Sequence, residues 1–417
     1  VPSAEPRSRY ADLTRAELAV LLPELLLVGQ LIDRSGMAFV IGRLGREEMA
    51  QVAIEEWSAA SPVYTRRMQE ALGFAAPPDE PGDVVTIFKG LQLDIGAPPQ
   101  FMDFRYTVHD PWHGEFHLDH CGALMDVEPM GEDYVRSMCH DIEDPTFDAT
   151  AVATNPRAQV RPIHRPPRSP AGRTPHCAWT VVIDDAHPVV TESAGCTALR
   201  SSRAATTVLE PIPAAGPDEG ATDYAGPLLS DLDFGAFSHG ALVRLADEVC
   251  LQMHLLDLGF VRAVHRRLPP DEARDLCRQQ LVGIAGIAAE RLHRALGLTR
   301  DVAGALRTLA LHPVLNPAAY VSVEVGDSLT VASSPAHEDD GWLGLCGPGE
   351  VAPLQAVVRA VDPHLDVEVT GTATDWTAHV VRRDEPAREA DAVAVTRFST
   401  GAGFAFEPRR SLPITPV

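Results

Sequence analysis

The chain has 417 residues, 45% hydrophobic and 22% charged, with 58 acidic against 35 basic side chains and a formal net charge of −23. That length suits two or three domains of about 150 residues each, with ample material for a core. The acidic balance argues against a nucleic-acid or anionic-membrane partner, because both need a basic footprint.

The densest apolar run, Leu18 to Ile32, is interrupted by Pro23, Glu24 and Gln30. It is too short and too polar for a membrane span, and it lacks the flanks of a secretion signal. Seven scattered cysteines, an odd number, then predict a cytoplasmic protein whose thiols are reduced or bound to metal. Lys89 is the only lysine, so a Schiff-base mechanism has one candidate.

In chain order, Thr14-x-x-Glu17 forms a capping box that opens leucine-periodic helices ending on Ala71-Leu72-Gly73. An alternating strand is expected over Phe101 to His109, then a turn at Asp110-Pro111-Trp112-His113-Gly114 that exposes His109 and His113. If His113 to Cys121 is extended, His113, Glu115, His117 and Asp119 share one face and His120 lies on the other. A short helix near Gly131 to Cys139 follows, then strands over Val160 to Ile163 and Trp179 to Ile183. Pro211 to Pro227 reads as a linker.

Thr14–Gly73 aligns without a gap onto Ser238–Gly297 at an offset of 224, with 14 of 60 positions identical. The identities include Glu24/Glu248, Asp33/Asp257, Arg43/Arg267, Glu48/Glu272 and Arg67/Arg291. Beyond them, Cys121-Gly122 falls against Cys346-Gly347 and Trp179-Thr180 against Trp376-Thr377. The expected fold is α+β, two duplicated helical-plus-small-sheet domains forming an internal pseudo-dimer. The boundaries fall at 1–210, a linker over 211–228, and a degenerate copy over 229–417. The cleft between the halves is a natural ligand site.

Chemistry-bearing residues concentrate in the first half. Cys121, Cys139 and Cys177 come from three separate elements, and each stands beside a histidine (His120, His140, His176). Three thiolates with His140 make a candidate set for one zinc or iron ion. Glu143 and Asp144 are the candidate bases beside a metal-bound water, and His140 is a ligand or proton carrier. Arg161 and Arg165 either orient an anionic substrate or neutralise the acidic helix. Cys250, Cys277 and Cys346 read as core thiols. No GxGxxG, GxxxxGK[ST] or GxSxG motif is present, so no nucleotide cofactor is expected.

The order "ALGF", "FHLDHCGALMDVEP", "YVRSMCHDIED", "NPRAQVRPIHRPP" and "HCAW" resembles the L-2-amino-thiazoline-4-carboxylic acid hydrolase-like proteins. More distantly it is similar to vinyl-reductase-type small-molecule-binding domains. The resemblance implies ring-opening hydrolysis of a small heterocyclic amino acid, with Cys121 and Cys139 at the family's cysteine positions. The fused second copy and the histidine-rich segment depart from that pattern. The expectation is a metal-dependent hydrolase acting on a small polar or anionic molecule. The alternatives are an iron-dependent redox or lyase enzyme at the same cluster, and a non-enzymatic ligand-binding or sensor protein with a structural metal.

Overall fold

The computed structural model describes residues 7–77, 80–216 and 218–417. The start of the expected first domain and residue 217 of the linker lie outside them. The first half runs α1 (Arg15–Leu44), α2 (Arg46–Ala71), α3 (Val84–Leu91), β1 (Met102–Asp110), β2 (His113–Cys121), α4 (Gly122–Val127), α5 (Glu132–Arg136), α6 (Glu143–Val152), β3 (Ala158–His164) and β4 (Cys177–Ile183). Two short helices, α7 (Ala194–Leu199) and α8 (Arg203–Thr206), precede α9 (His239–His265), α10 (Pro270–Ala295) and α11 (Val302–Leu311). The chain closes with β5 (Val323–Val325), β6 (Leu329–Val331), α12 (Ala352–Val361), β7 (Leu365–Gly371), β8 (Trp376–Arg382) and α13 (Asp391–Thr396). The protein is α+β. Among the described residues it has two four-stranded antiparallel sheets, ordered β1-β2-β4-β3 and β5-β6-β8-β7. Among the described residues, no helix is long and apolar enough to cross a membrane.

The helix limits follow local chemistry. Thr14 and Glu17 form the reciprocal cap at the start of α1. Gly73 and Gly297 adopt φ of +66° and +58° just beyond α2 and α10, the left-handed turn that releases a helix end. Residue alternation predicts a strand over Tyr320 to Val325 in the second half, and the strand formed is confined to Val323–Val325. The Tyr320 hydroxyl is instead committed to Asp339, and the backbone N–H groups of Tyr320 and Val321 turn back to Pro317.

The long helices pack across the halves. α1 lies against α9 and α10, and α2 lies along α9. Their buried faces join one continuous apolar core. Of the ion pairs across this contact, four have members that recur at the offset of 224. Glu24 pairs with Arg291 (2.6 Å), and Arg67 with Glu248 (3.0 Å). Nearer the surface, Arg43 pairs with Glu272 (3.3 Å), and Glu48 with Arg267 (2.7 Å). In each set one half supplies the acid and the other the base, then the roles reverse.

Close helix contact depends on small residues. A Cβ on Gly259 of α9 would stand 2.9 Å from the Glu56 carbonyl oxygen and 3.0 Å from its Cα on α2. Backbone cannot rotate aside, so Gly259→Ala forces the helices apart. The expected loss is about 1–3 kcal/mol, despite alanine's better helix propensity. A denaturant midpoint equal to or above the parent's is the contrary result.

Residues 211–227 form neither helix nor strand among those described, yet they are tied down. The Lys89 ammonium donates to the carbonyls of Tyr224 (2.8 Å) and Gly226 (2.6 Å). The one lysine therefore holds the connection between the halves.

Candidate functional site

The helix carrying Cys139 does not end there. It runs from Glu132 to Val152 through a π-helical turn at Ser137–Ile142. Pro145 lies just beyond and has no N–H to return to the preceding turn, so the backbone register changes at this point. Cys139 and Glu143 consequently face inward, whereas Asp144 and Asp148 face β3 and the residue beyond it. Asp144 pairs with Arg165, Asp148 with Arg161 and Glu128 with Arg168. Of the two roles open to Arg161 and Arg165, the structure displays neutralisation of the acidic helix.

The three thiols gather in one buried region around Glu143. Burial pushes the Cys121 thiol up to about 12, and the nearby Glu143 carboxylate adds to the shift. Cys139 and Cys177 are raised for the same reasons. Cys121 Sγ accepts the Leu124 N–H (3.3 Å) as the cap of α4 and donates towards Met102 Sδ (3.6 Å). The neighbouring histidines go elsewhere. His140 Nε2 meets the Pro166 carbonyl (2.7 Å), His176 Nδ1 accepts the Cys121 N–H (3.1 Å), and His120 stacks on Phe404. The expected ion-binding set of Cys121, Cys139, Cys177 and His140 is not drawn to common ligand distance. Among the described residues, the one set of three with ligand atoms within 4.8 Å of each other is His109, His113 and Glu115.

Glu143 instead faces a chamber of about 100 Å³ between α1, α2, α6 and the first sheet. Phe104, Phe147, Leu91, Met102 and Met138 make its apolar wall, and Gln30, Arg34, Tyr64 and Asp94 bring polar groups. Burial pushes the Glu143 carboxyl up to about 8, against the opposing pull of Arg165 and Arg34. Among the described residues, its Oε2 has no hydrogen-bond partner, and neither has Gln30 Oε1. Burial also raises Asp94, to about 6, although the Gly96 N–H (2.6 Å) and Tyr64 hydroxyl (2.8 Å) donate to it. Arg34 is anchored by Asp33, which also accepts the Trp57 indole N–H (3.1 Å).

A larger cleft of about 640 Å³ shares Ala97, Met102 and Phe104 with the chamber, so the two are neighbours across these side chains. Its walls come from both halves of the chain: Val20 and Asp103, the Asp231–Gly235 segment, Arg294, and the tail from Phe404 to Arg409.

Among the described residues, the matching positions of the second half carry fewer polar side chains. The residues 224 further on from Gln30, Arg34, Trp57 and Tyr64 are His254, Leu258, Leu281 and Ala288. Trp342, fully buried, stands against His254 with ring centres 5.1 Å apart. Its backbone N–H donates to Asp257 (3.0 Å) and its indole to Gln280 (3.2 Å), the positions that match Asp33 and Glu56.

Gln30, Arg34, Tyr64 and Asp94 were not among the sequence candidates. The available signal was a polar residue on a helix face otherwise made of leucines, which Gln30 and Arg34 both provide. Compared with known protein families, characterised proteins and solved structures, the chain matches none.

Proposed function

We propose that the chain is an enzyme that hydrolyses a carbon–nitrogen bond of a small polar or anionic molecule held in the chamber. The observation carrying this reading is the Glu143 carboxyl, buried at a cavity wall with one oxygen lacking a partner among the described residues. Such a group costs stability unless a ligand completes it, and perturbed carboxyls of this kind cluster at functional sites.

Two carboxyls line one chamber with their proton affinities pushed apart. At neutral pH Glu143 holds its proton and Asp94 is largely ionised. Asp94 takes a proton from water as the water oxygen bonds to the substrate carbon. Glu143 passes its own proton to the leaving nitrogen as the carbon–nitrogen bond breaks. Arg34 and Gln30 orient an anionic or amide group. The thiols have no assembled ligand set, so these steps move protons without routing any through an ion.

We further infer that the two halves arose by duplication and pack as a pseudo-dimer, the first bearing the site and the second degenerate. Shared strand order and the reciprocal ion pairs support this, because an isologous interface requires that i meets j and j meets i. Seven free cysteines suit a reducing compartment such as the cytoplasm.

The test uses the full-length protein with small amides, amidines and 2-aminothiazoline-type heterocycles, following released ammonia or ring-opened product. kcat/KM should be bell-shaped, with limbs near pH 6 and 8. Glu143→Gln should lower it by about 10²–10⁴-fold. Undiminished turnover in that variant rejects the reading. Saturable binding without turnover favours a ligand-binding module instead.

A further inference from the structure

The outer face of the first sheet, opposite the chamber, carries a second concentration of ligating groups. Its inner face holds Phe116 and Trp179, which are fully buried. On the outer face, His113 and Glu115 of β2 stand two residues apart and so project together. His109 reaches the same place through a register irregularity: Val108 pairs with Gly114 and Asp110 with His113, leaving His109 as an extra residue in β1. Bulges of this kind re-aim a side chain, and they recur next to functional sites.

The three side chains converge closely. Their ligand atoms all lie within 4.8 Å of one another, and the two imidazole ring centres are 4.5 Å apart. His109 Nε2 lies 3.4 Å from Glu115 Oε1 but is not aligned to donate to it, and this buried nitrogen has no hydrogen-bond partner among the described residues. The Thr180 hydroxyl, from β4, comes within 3.3 Å of His113 Nε2. No cationic side chain forms an ion pair with Glu115 among the described residues; its one charge-capable neighbour within that range is His109.

We propose that His109, His113 and Glu115 bind one transition-metal ion of the zinc–nickel class, with positions left open to water. Two imidazoles and one carboxylate are the borderline donor set that such ions take in place of calcium or magnesium. Ligands about 2.1 Å from a shared ion stand roughly 3–3.5 Å apart. The set closes on an ion by side-chain rotation of half-buried residues, with the strands fixed. Three protein ligands on one side leave water bound to the ion at the sheet surface. This site is independent of Glu143 and of the hydrolytic reading.

Calorimetric titration of metal-stripped full-length protein with Zn²⁺ should give one saturating ion per chain. His113→Ala and Glu115→Gln should each weaken it by about tenfold or more. Because these side chains are half-buried on an open face, both variants should keep the parent's unfolding midpoint. Co²⁺ should give weak visible bands with no near-ultraviolet thiolate charge transfer. It should also quench Trp112, which is 47% exposed in the same hairpin turn. Absence of saturable uptake overturns the proposal. So does uptake that survives the His109→Ala/His113→Ala double variant, or a thiolate band with Co²⁺, which would return the ion to the cysteines.

Discussion

Replacing Arg291 with methionine should cost more stability than any other single substitution among the four ion pairs that recur between the halves. The guanidinium is fully buried and donates to Glu24 (2.7 Å) and to the carbonyls of Gly401 (2.7 Å), Ala402 (3.0 Å) and Phe404 (2.9 Å). Methionine matches the stem but leaves Glu24 and three carbonyls facing an apolar group. Removing one partner of a buried, hydrogen-bonded pair costs about 3–5 kcal/mol. The penalty should fall most on the Phe404–Arg409 tail, which forms one wall of the large cleft. Arg43→Ala, at the half-exposed pair with Glu272, should cost about 0–1 kcal/mol. Adding Glu24→Leu to Arg291→Met should recover much of the loss, because no charge is then stranded. Denaturant unfolding of the parent and these three variants decides it. Equal midpoints for Arg291→Met and Arg43→Ala would mean that the inner pair is not desolvated.

Glu143→Gln should make the protein more stable at alkaline pH while lowering turnover by about 10²–10⁴-fold. The carboxyl is held near 8 in the folded chain against an ordinary 4.5. Between those values the folded state keeps a proton that the unfolded state has released, so stability falls as pH rises through the window. Glutamine carries no such liability. The variant should match the parent below about pH 4.5 and exceed it increasingly up to pH 8, by an amount on the order of a few kcal/mol. A constant difference from pH 4 to 8 would show that Glu143 titrates normally, and its role as acid would fall with it. Gain of stability with loss of chemistry is the expected trade at a site held under strain for function.

Much of the framework was legible in the chain. The capping box at Thr14, the glycines at 73 and 297 and the alternation through His113–Asp119 depend on neighbours a few residues away, and they appear in the structure where the pattern puts them. The pairing of arginines with the acidic helix was one of two readings, and the Arg161–Asp148 and Arg165–Asp144 contacts express it. The metal set fared differently for a geometric reason. Side chains adjacent along an extended segment point to opposite sides, so a histidine beside a cysteine in sequence is turned away from it. His120 and His176 leave Cys121 and Cys177 in this way, and His140 leaves Cys139 by helical rotation. The chamber was hidden for another reason. Gln30 and Arg34 come from α1, Tyr64 from α2, Asp94 from a turn and Glu143 from α6, and no local spacing relates them. The inward aim of Glu143 follows from the π-helical turn ahead of Pro145, which helical periodicity alone does not anticipate.

On the proposed duplication, the reciprocal ion pairs have a consequence for how such a molecule changes over generations. In a symmetric pair of separate chains, any substitution is expressed at both sites at once. A tryptophan that plugs one pocket would plug its twin, and lineages carrying it would lose the activity. Once the two copies share a chain, each accepts substitutions independently while the same salt links keep them docked. Trp342 can then brace one side against Asp257 and Gln280 as the opposite side stays hollow. Fusion thus removes the symmetry constraint, and one copy becomes free to specialise as scaffold.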